Sequence, residues 1–393
     1  MIIRNFTSFM KKRILFVVTY LDTGGISRAL QNFLNCYDTS LYGVDVFAMA
    51  HQGVYQGNLK NCVLLPPDRM INAAIGRYEH QRGITKVESL VCKIIDKVSG
   101  YRFHNYLLRK AGKKLVEKAQ YDAVIGFSEG LPTLFVSMMK HPNRIGWIHC
   151  DYANYLKVGS GKLEQDIYES LQSVVCVSEF TRETFIKIYP SLSDRTYAIY
   201  NILDDKMMRS KSSEPIDEPF DDSCFNIVSI GRIDPVKRLS IVPELACKIT
   251  DAGCKIRWYV IGPKGTDGEL QLLLENRSKY QMEEVVLLLG EKANPYPYIA
   301  QADLLVNTSI SEACPYVINE AKILGTPVVC TDFGSAKEFV DNGRNGYCES
   351  IGDMADRIIW LVQNPNRING MRECLSHFAY DNTQILRKID TLI

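Results

Sequence analysis

The chain has 393 residues, 46% of them apolar, with 46 Lys plus Arg against 45 Asp plus Glu. That length exceeds what one ordinary hydrophobic core serves, so two domains are expected. No apolar run reaches roughly 18 residues, which argues against a spanning helix, and the apolar part of "MIIRNFTSFMKKR" is too short and interrupted for a secretion signal, so a cytoplasmic protein is expected.

The first predicted strand is "RILFVVTYL", Arg13 to Leu21. It runs into Asp22-Thr-Gly-Gly25, and "ISRALQNFLNCY" then has helical spacing, giving strand, tight glycine turn, helix. "GVDVFAMA", "YDAVIGFSEG", "RIGWIHCDY" and "SVVCVSEF" are further short buried runs, separated by helical stretches. Strands alternating with helices imply a parallel sheet covered on both faces.

Between the second and third of these strands lies a basic segment from Arg77 to Lys118. It holds Arg77, Arg82, Lys86, Lys93, Lys97, Arg102, Arg109, Lys110, Lys113, Lys114 and Lys118, opposed by Glu79, Glu88, Asp96 and Glu117. The segment accounts for most of an asymmetry. There are 25 Lys plus Arg against 17 Asp plus Glu through Tyr200, and 21 against 28 beyond it. Its apolar residues are interleaved, so it reads either as a helix pair for an anionic membrane surface or as an ordinary solvated face. No nucleic-acid motif accompanies the charge, and no nucleic-acid partner is expected.

Around Asn201 the alternation breaks. "NILDDKMMRSKSSEPIDEPFDDS" is polar, holds two prolines and reads as a linker. The pattern then restarts with strands "FNIVSIGR", "KIRWYVIG", "VVLLLG", "ADLLVNTS" and "TPVVCTD". Helices are expected over 241–252, 269–280 and 316–324, and a last one over 382–392. The fold class is therefore α/β, two doubly wound Rossmann-like domains facing across a cleft. The domains are expected at 1–202 and 203–375, with a final segment at 376–393. Twelve cysteines show no Cys-x-x-Cys pair and no Cys/His ligand spacing, so they are expected as reduced core residues and no metal site is expected.

In such sheets ligands bind beyond the carboxyl ends of the strands, and polar motifs stand there. In "SIGRIDPVKR", Gly231 permits a turn, and Arg232 and Lys237 offer two cations, enough to clamp a diphosphate or simply to face solvent. In "SEACPYVINEA", Glu312 precedes a helix that Pro315 suits at its first turn, and Glu320 lies inside it. The helix start between them offers N–H groups and a dipole to phosphates, and each carboxylate can accept two hydroxyl hydrogen bonds. Two surface carboxylates on a solvated helix are the plain alternative. Gly24 and Gly25 let backbone amides approach a phosphate or sugar, though any tight turn uses such a pair. His149 ends a strand beside Asp151, which favours a ligand-facing place over a buried structural one.

Taken in order, "GRIDPVK", "EACPYVINE", "GTPVVCTDFG" and "VDNGRNGY" resemble the retaining glycosyltransferases of family four, which have the GT-B fold. "GGISRAL", "VSEFTRETF", "IYNILD" and "NPYPYIAQADLLV" extend the resemblance over almost the whole chain. It implies that Arg232 and Lys237 bind the donor diphosphate, that Glu320 binds the ribose, and that Glu312 faces the donor sugar. The backbone of Ala313, Cys314, Pro315, Tyr316 and Val317 would contact sugar and phosphate. Gly24 and Gly25 would approach the phosphates, and His149 would contact the sugar near the reacting carbon. Ser178 and Glu179 match a position lining the cleft, and Asn201 a structural one. The C-terminal helix would return to the first domain. Ala313 stands where the family often has glycine, so the donor sugar cannot be carried over.

The expected activity is transfer of a hexose or N-acetylhexosamine from a nucleotide diphosphate sugar, UDP before GDP, with retention. No Asp-x-Asp is present, and no cofactor is expected. "WIHCDY" and "NPYPYI" resemble enzymes of capsule, exopolysaccharide or O-antigen assembly, which implies a polyprenyl-diphosphate-linked or other glycolipid acceptor and a place at the inner face of the cell membrane. Three rivals make different predictions. A nucleotide-sugar epimerase of the same fold would isomerise its substrate without an acceptor. A dehydrogenase would need a glycine fingerprint, which this chain lacks. A non-catalytic scaffold would be expected to have lost some of Arg232, Lys237, Glu312 and Glu320.

Overall fold

Short runs rich in Val, Ile and Leu become parallel strands where both faces are covered. In the computed structural model, which describes residues 11–22, 24–50, 53, 57, 59–77, 83–100, 102–158 and 164–393, thirteen such strands are found. Residues 1–10, Glu79 and Arg82 lie outside the described residues. The chain divides into two units, residues 1–203 with 382–393, and residues 204–381.

The first unit holds β1 (Lys12–Val18), β2 (Tyr42–Ala48), β3 (Val63–Leu64), β4 (Ala123–Gly126), β5 (Arg144–Ile148), β6 (Ser173–Cys176) and β7 (Thr196–Ala198). They pair in parallel in the order β3-β2-β1-β4-β5-β6-β7. β1 is central and wholly buried from Ile14 to Val18. The order reverses between β1 and β4, so the crevice beyond their carboxyl ends is the natural ligand position in this sheet. The helix Asn382–Asp390 belongs to this unit: Asp390 accepts from Lys12 Nζ at 3.2 Å and from the Tyr42 hydroxyl, and Asn143 Nδ2 donates to Leu392 O at 2.8 Å. Residues 376–381, expected with this returning segment, group with the second unit instead.

The second unit holds β8 (Phe225–Ile230), β9 (Ile256–Ile261), β10 (Val286–Gly290), β11 (Leu304–Asn307), β12 (Val328–Thr331) and β13 (Gly346–Glu349), all parallel, in the order β10-β9-β8-β11-β12-β13. Here the reversal falls between β8 and β11. Buried Trp258 ties the three strands around it: its Nε1 donates to Ser229 Oγ at 3.0 Å, and Ser229 Oγ donates to Val306 O at 2.7 Å. The two units are thus Rossmann-like sheets in succession, the fold class expected from the alternation.

Two readings need correction. The expected linker contains a helix, Asp205–Lys211, because the Asp204 carboxylate caps it, accepting from Met207 N at 3.0 Å, and Met208 is buried. The cysteines are all free, but only Cys92, Cys176, Cys254 and Cys330 are buried. Seven are half-buried and Cys374 is exposed, so most are not core residues.

Candidate functional site

The reversal point of the second sheet is built from two loops stitched together. After β8 the chain turns at Gly231, and the Lys237 stem packs over it: a Cβ there would lie 3.4 Å from Lys237 Cγ. Gly262, after β9, sits at φ 151°, and a Cβ on it would lie 1.9 Å from Gly231 O, so only glycine allows this approach. Asp234 organises the loop. Its carboxylate accepts Lys237 N at 3.0 Å and pairs with Arg232 Nε at 3.0 Å. The Arg232 side chain stays 59% exposed, so its charge is presented to solvent.

Cross-links then fix this loop to the one after β11. Arg238, in the left-handed region at φ 49°, donates from Nε to Thr308 O at 3.2 Å. Thr308 Oγ1 donates to Lys237 O at 2.8 Å, and Ile310 N donates to Val236 O at 2.8 Å. The result is that Lys237 Nζ reaches Glu312 Oε1 at 2.5 Å. Ser309 Oγ at 2.8 Å and Asn307 Nδ2 at 3.4 Å converge on the same oxygen. Ser335 Oγ holds the Glu312 carbonyl at 2.8 Å. A carboxylate gripped this way has one orientation and a fixed counter-charge.

The helix Tyr316–Leu324 starts directly after this cluster and has the bounds expected from its sequence. Pro315 at its N-cap makes no side-chain capping bond, and the positive end of the helix dipole lies beside the Glu312 cluster. Ala313 is buried and Cys314 half-buried in the approach. Glu320 lies on the second turn with its side chain buried. Lys322 is also buried, its amine donating to Phe339 O at 2.9 Å and standing 4.7 Å from the Phe378 ring centre. Burial pulls its pKa down to about 8.

In the first unit, Gly24 is the N-cap of the helix Gly25–Cys36, and a Cβ at Gly24 or Gly25 would meet nothing within 4 Å. The turn therefore opens onto space that a ligand can enter. His149 follows β5. Its ring meets Phe127 edge-on at 4.7 Å and stacks with Trp147 at 6.4 Å. Burial lowers its pKa to about 3, so the imidazole is neutral at physiological pH. Its Nε2 is buried without a hydrogen-bond partner among the described residues. The backbone N–H of His149 donates to Glu129 Oε2 at 3.0 Å. Asp151 takes a structural part, accepting Ala153 N at 3.2 Å at the start of the next helix. Ser178 is the N-cap of the helix Glu179–Ile188, its Oγ accepting from Thr181 N at 3.1 Å. Asn201 is buried.

The residues read from the sequence thus fall into two groups. Arg232, Lys237, Glu312, Ala313–Val317 and Glu320 gather at the reversal point of the second sheet. Gly24, Gly25 and His149 stand at strand ends of the first. Sequence reasoning missed Asp234, Asn307 and Ser309, which hold the cluster, and Glu129, which braces His149. The available signal was position: Asn307 ends β11, and the other three lie two to four residues past a strand end.

Residues 224–364, which contain the whole of the Arg232–Glu320 group, match the family model described as "Glycosyl transferases group 1". This part of the chain is therefore similar to the group 1 glycosyltransferases. An uncharacterized glycosyltransferase of Methanocaldococcus jannaschii is 24% identical over 170 residues, 42% of this chain and 41% of that protein. The N-acetylgalactosamine-N,N'-diacetylbacillosaminyl-diphospho-undecaprenol 4-alpha-N-acetylgalactosaminyltransferase of Campylobacter jejuni is 26% identical over 203 residues, 51% of this chain and 49% of that protein. The chain therefore matches less than half the length of either relative. Among solved structures, Anabaena HepE in complex with UDP and glucose has a TM-score of 0.69 at 18% identity, covering 97% of this chain and 98% of that one. That likeness extends the fold to both units.

Proposed function

We propose that the protein is a retaining glycosyltransferase. It moves a hexose or N-acetylhexosamine from a nucleotide diphosphate sugar, UDP before GDP, to an oligosaccharide or a polyprenyl-diphosphate-linked or other glycolipid acceptor in surface polysaccharide assembly. The observation that carries this reading is the Lys237–Glu312 pair, locked at a sheet reversal directly before an N-terminal helix end. Relatives support the chemistry: HepE is solved with UDP and glucose, and the Campylobacter enzyme is named for a diphospho-undecaprenol acceptor.

In this reading Arg232, Lys237 and the amides from Ala313 to Val317 receive the diphosphate. Glu312 takes hydroxyls of the donor sugar and Glu320 those of the ribose. Gly24 and Gly25 offer amides to phosphate, and neutral His149 offers a hydrogen bond to the sugar. The bond between the sugar's anomeric carbon and the diphosphate oxygen breaks. The charge that develops on that oxygen is stabilised by the two cations and the helix end. The acceptor oxygen bonds the same face of the carbon, and its proton passes to the departing phosphate, leaving a nucleoside diphosphate. No resident cofactor takes part. The protein works in the cytoplasm, peripheral to an anionic membrane surface met by the Arg77–Lys118 segment.

Thermal unfolding with UDP-, GDP- and ADP-sugars tests the reading. One nucleotide class should raise the melting temperature, since a ligand at a hundred times its Kd adds about 2.7 kcal/mol. The shift should vanish in Lys237→Ala and Glu320→Ala. No shift with any nucleotide sugar rejects the donor site.

A further inference from the structure

The helix Ile84–Ser99 is built inside out. Its face toward the fold carries Ser89, Cys92 and Asp96, all buried, and Asp96 is fixed by His104 N of the next helix at 2.8 Å. Its opposite face is apolar and exposed. Ile84 is 70% exposed, Val87 63%, Ile94 55% and Val98 84%, with Leu90, Val91 and Ile95 exposed among them. At 100° per residue these seven side chains fall within an arc of about 140°, a continuous ridge about 20 Å long. Globular helices bury such a face, so its exposure marks a contact surface.

Charge decides what the contact is. Lys86, Lys93 and Lys97 all lie on one flank of the ridge and are exposed. On the other flank Glu88 is neutralised by Arg69, Nη2 to Oε1 at 2.5 Å. The next helix, Arg102–Lys118, continues the surface with exposed Arg102, Arg109, Lys110, Lys113 and Lys114 around exposed Tyr106. Its one exposed acid, Glu117, pairs with Lys113. A two-fold contact between copies through this patch would set cations against cations. A bilayer interface with anionic headgroups accepts both features, taking the ridge into the acyl boundary and the lysines at headgroup level. No described helix is long and apolar enough to cross a membrane, so this one lies in the plane.

We infer that the helix Ile84–Ser99 is an interfacial membrane anchor, inserting Ile84, Val87, Leu90, Val91, Ile94, Ile95 and Val98 into an anionic leaflet. This deepens the glycolipid-acceptor reading by assigning the insertion face, but the contact stands on the helix itself.

The test is sedimentation of the full chain with vesicles of phosphatidylcholine alone and of equal parts phosphatidylcholine and phosphatidylglycerol. Wild type should bind the anionic vesicles and release in high salt. Leu90→Glu with Ile94→Glu, both on exposed positions, should weaken that binding roughly tenfold or more with unchanged thermal unfolding. Replacing Lys86, Lys93 and Lys97 by Gln should remove the preference for phosphatidylglycerol. Absence of wild-type binding overturns the inference. So does equal binding by the double variant, or self-association of wild type that the double variant abolishes without any lipid binding. Nucleotide-sugar melting shifts on the same samples separate the two readings. Lipid binding without a donor shift leaves the anchor and rejects the transferase, and a donor shift without lipid binding does the reverse.

Discussion

Lys237→Met in the Lys237–Glu312 pair removes the charge but keeps a stem to pack on Gly231. Glu312 then remains with an 11% exposed side chain and no counter-charge, holding only Ser309 and Asn307. Breaking a fully buried pair costs roughly 3–5 kcal/mol. Because the Lys237 side chain is 26% exposed, water screens part of this, and a loss of about 2 kcal/mol is expected. Glu312→Gln keeps an acceptor for Ser309 and leaves a lysine that can reach solvent, so about 1 kcal/mol is expected. The double variant has no stranded charge and should lose less than the sum by about 1 kcal/mol. Urea unfolding of a Trp147→Phe background, followed through the fluorescence of Trp258 and Trp360 in the second unit, measures all three. If the single losses add to within about 0.3 kcal/mol of the double, the two residues do not act as a unit, and the locked cluster is not what orients Glu312.

Three more outcomes follow from the geometry. His149 stays neutral in the fold down to about pH 3 while the unfolded chain takes a proton below about 6.5, so folding stability is lost as pH drops through that window and regained as pH rises. His149→Gln should lose less stability than wild type there, by up to about 1.4 kcal/mol per pH unit, and parallel acid unfolding curves reject the assignment. Lys322 releases its proton near pH 8 when folded but near 10.5 when unfolded, so its contribution rises with pH between those values. Lys322→Met should therefore melt higher than wild type at pH 7, by about 1 kcal/mol after the lost bond to Phe339 O is counted, with the advantage gone at pH 10; a lower melting point at pH 7 contradicts this. Gly262→Ala puts a methyl against Gly231 O and should cost about 3 kcal/mol or more, read as lost soluble yield or a lowered melting point.

Much of this was legible in the sequence because strand ends announce themselves. An apolar run that stops at Gly231 or Asn307 says where the sheet's carboxyl edge lies, and the charged residues just beyond it are then at the ligand position. The edge strands β3 and β7 were not legible, since two or three residues carry no alternation. The pairing of Lys237 with Glu312 was also hidden: 75 residues separate them, and only the reversal of strand order brings β8 and β11 side by side. Asp234 and Ser309 looked like ordinary loop residues because their work is to hold neighbours. The interleaved apolar and basic residues between Arg77 and Lys118 pointed to a helix pair or a solvated face, but they could not say which face of the helix at 84–99 is turned inward. That is decided by Asp96 receiving the next helix's N–H.

The helix Asn382–Asp390 has a consequence for how the protein is made. The second unit is one unbroken stretch, 204–381, and can close as soon as it leaves the ribosome. The first unit, though synthesised earlier, lacks the partners for Lys12, Tyr42 and Asn143 until residues 390–392 emerge. The usual order of vectorial folding, amino-terminal domain first, is thereby inverted for its final step. The unit synthesised earlier is the last to be finished, and removing the helix Asn382–Asp390 should injure it rather than the unit that precedes that helix in sequence.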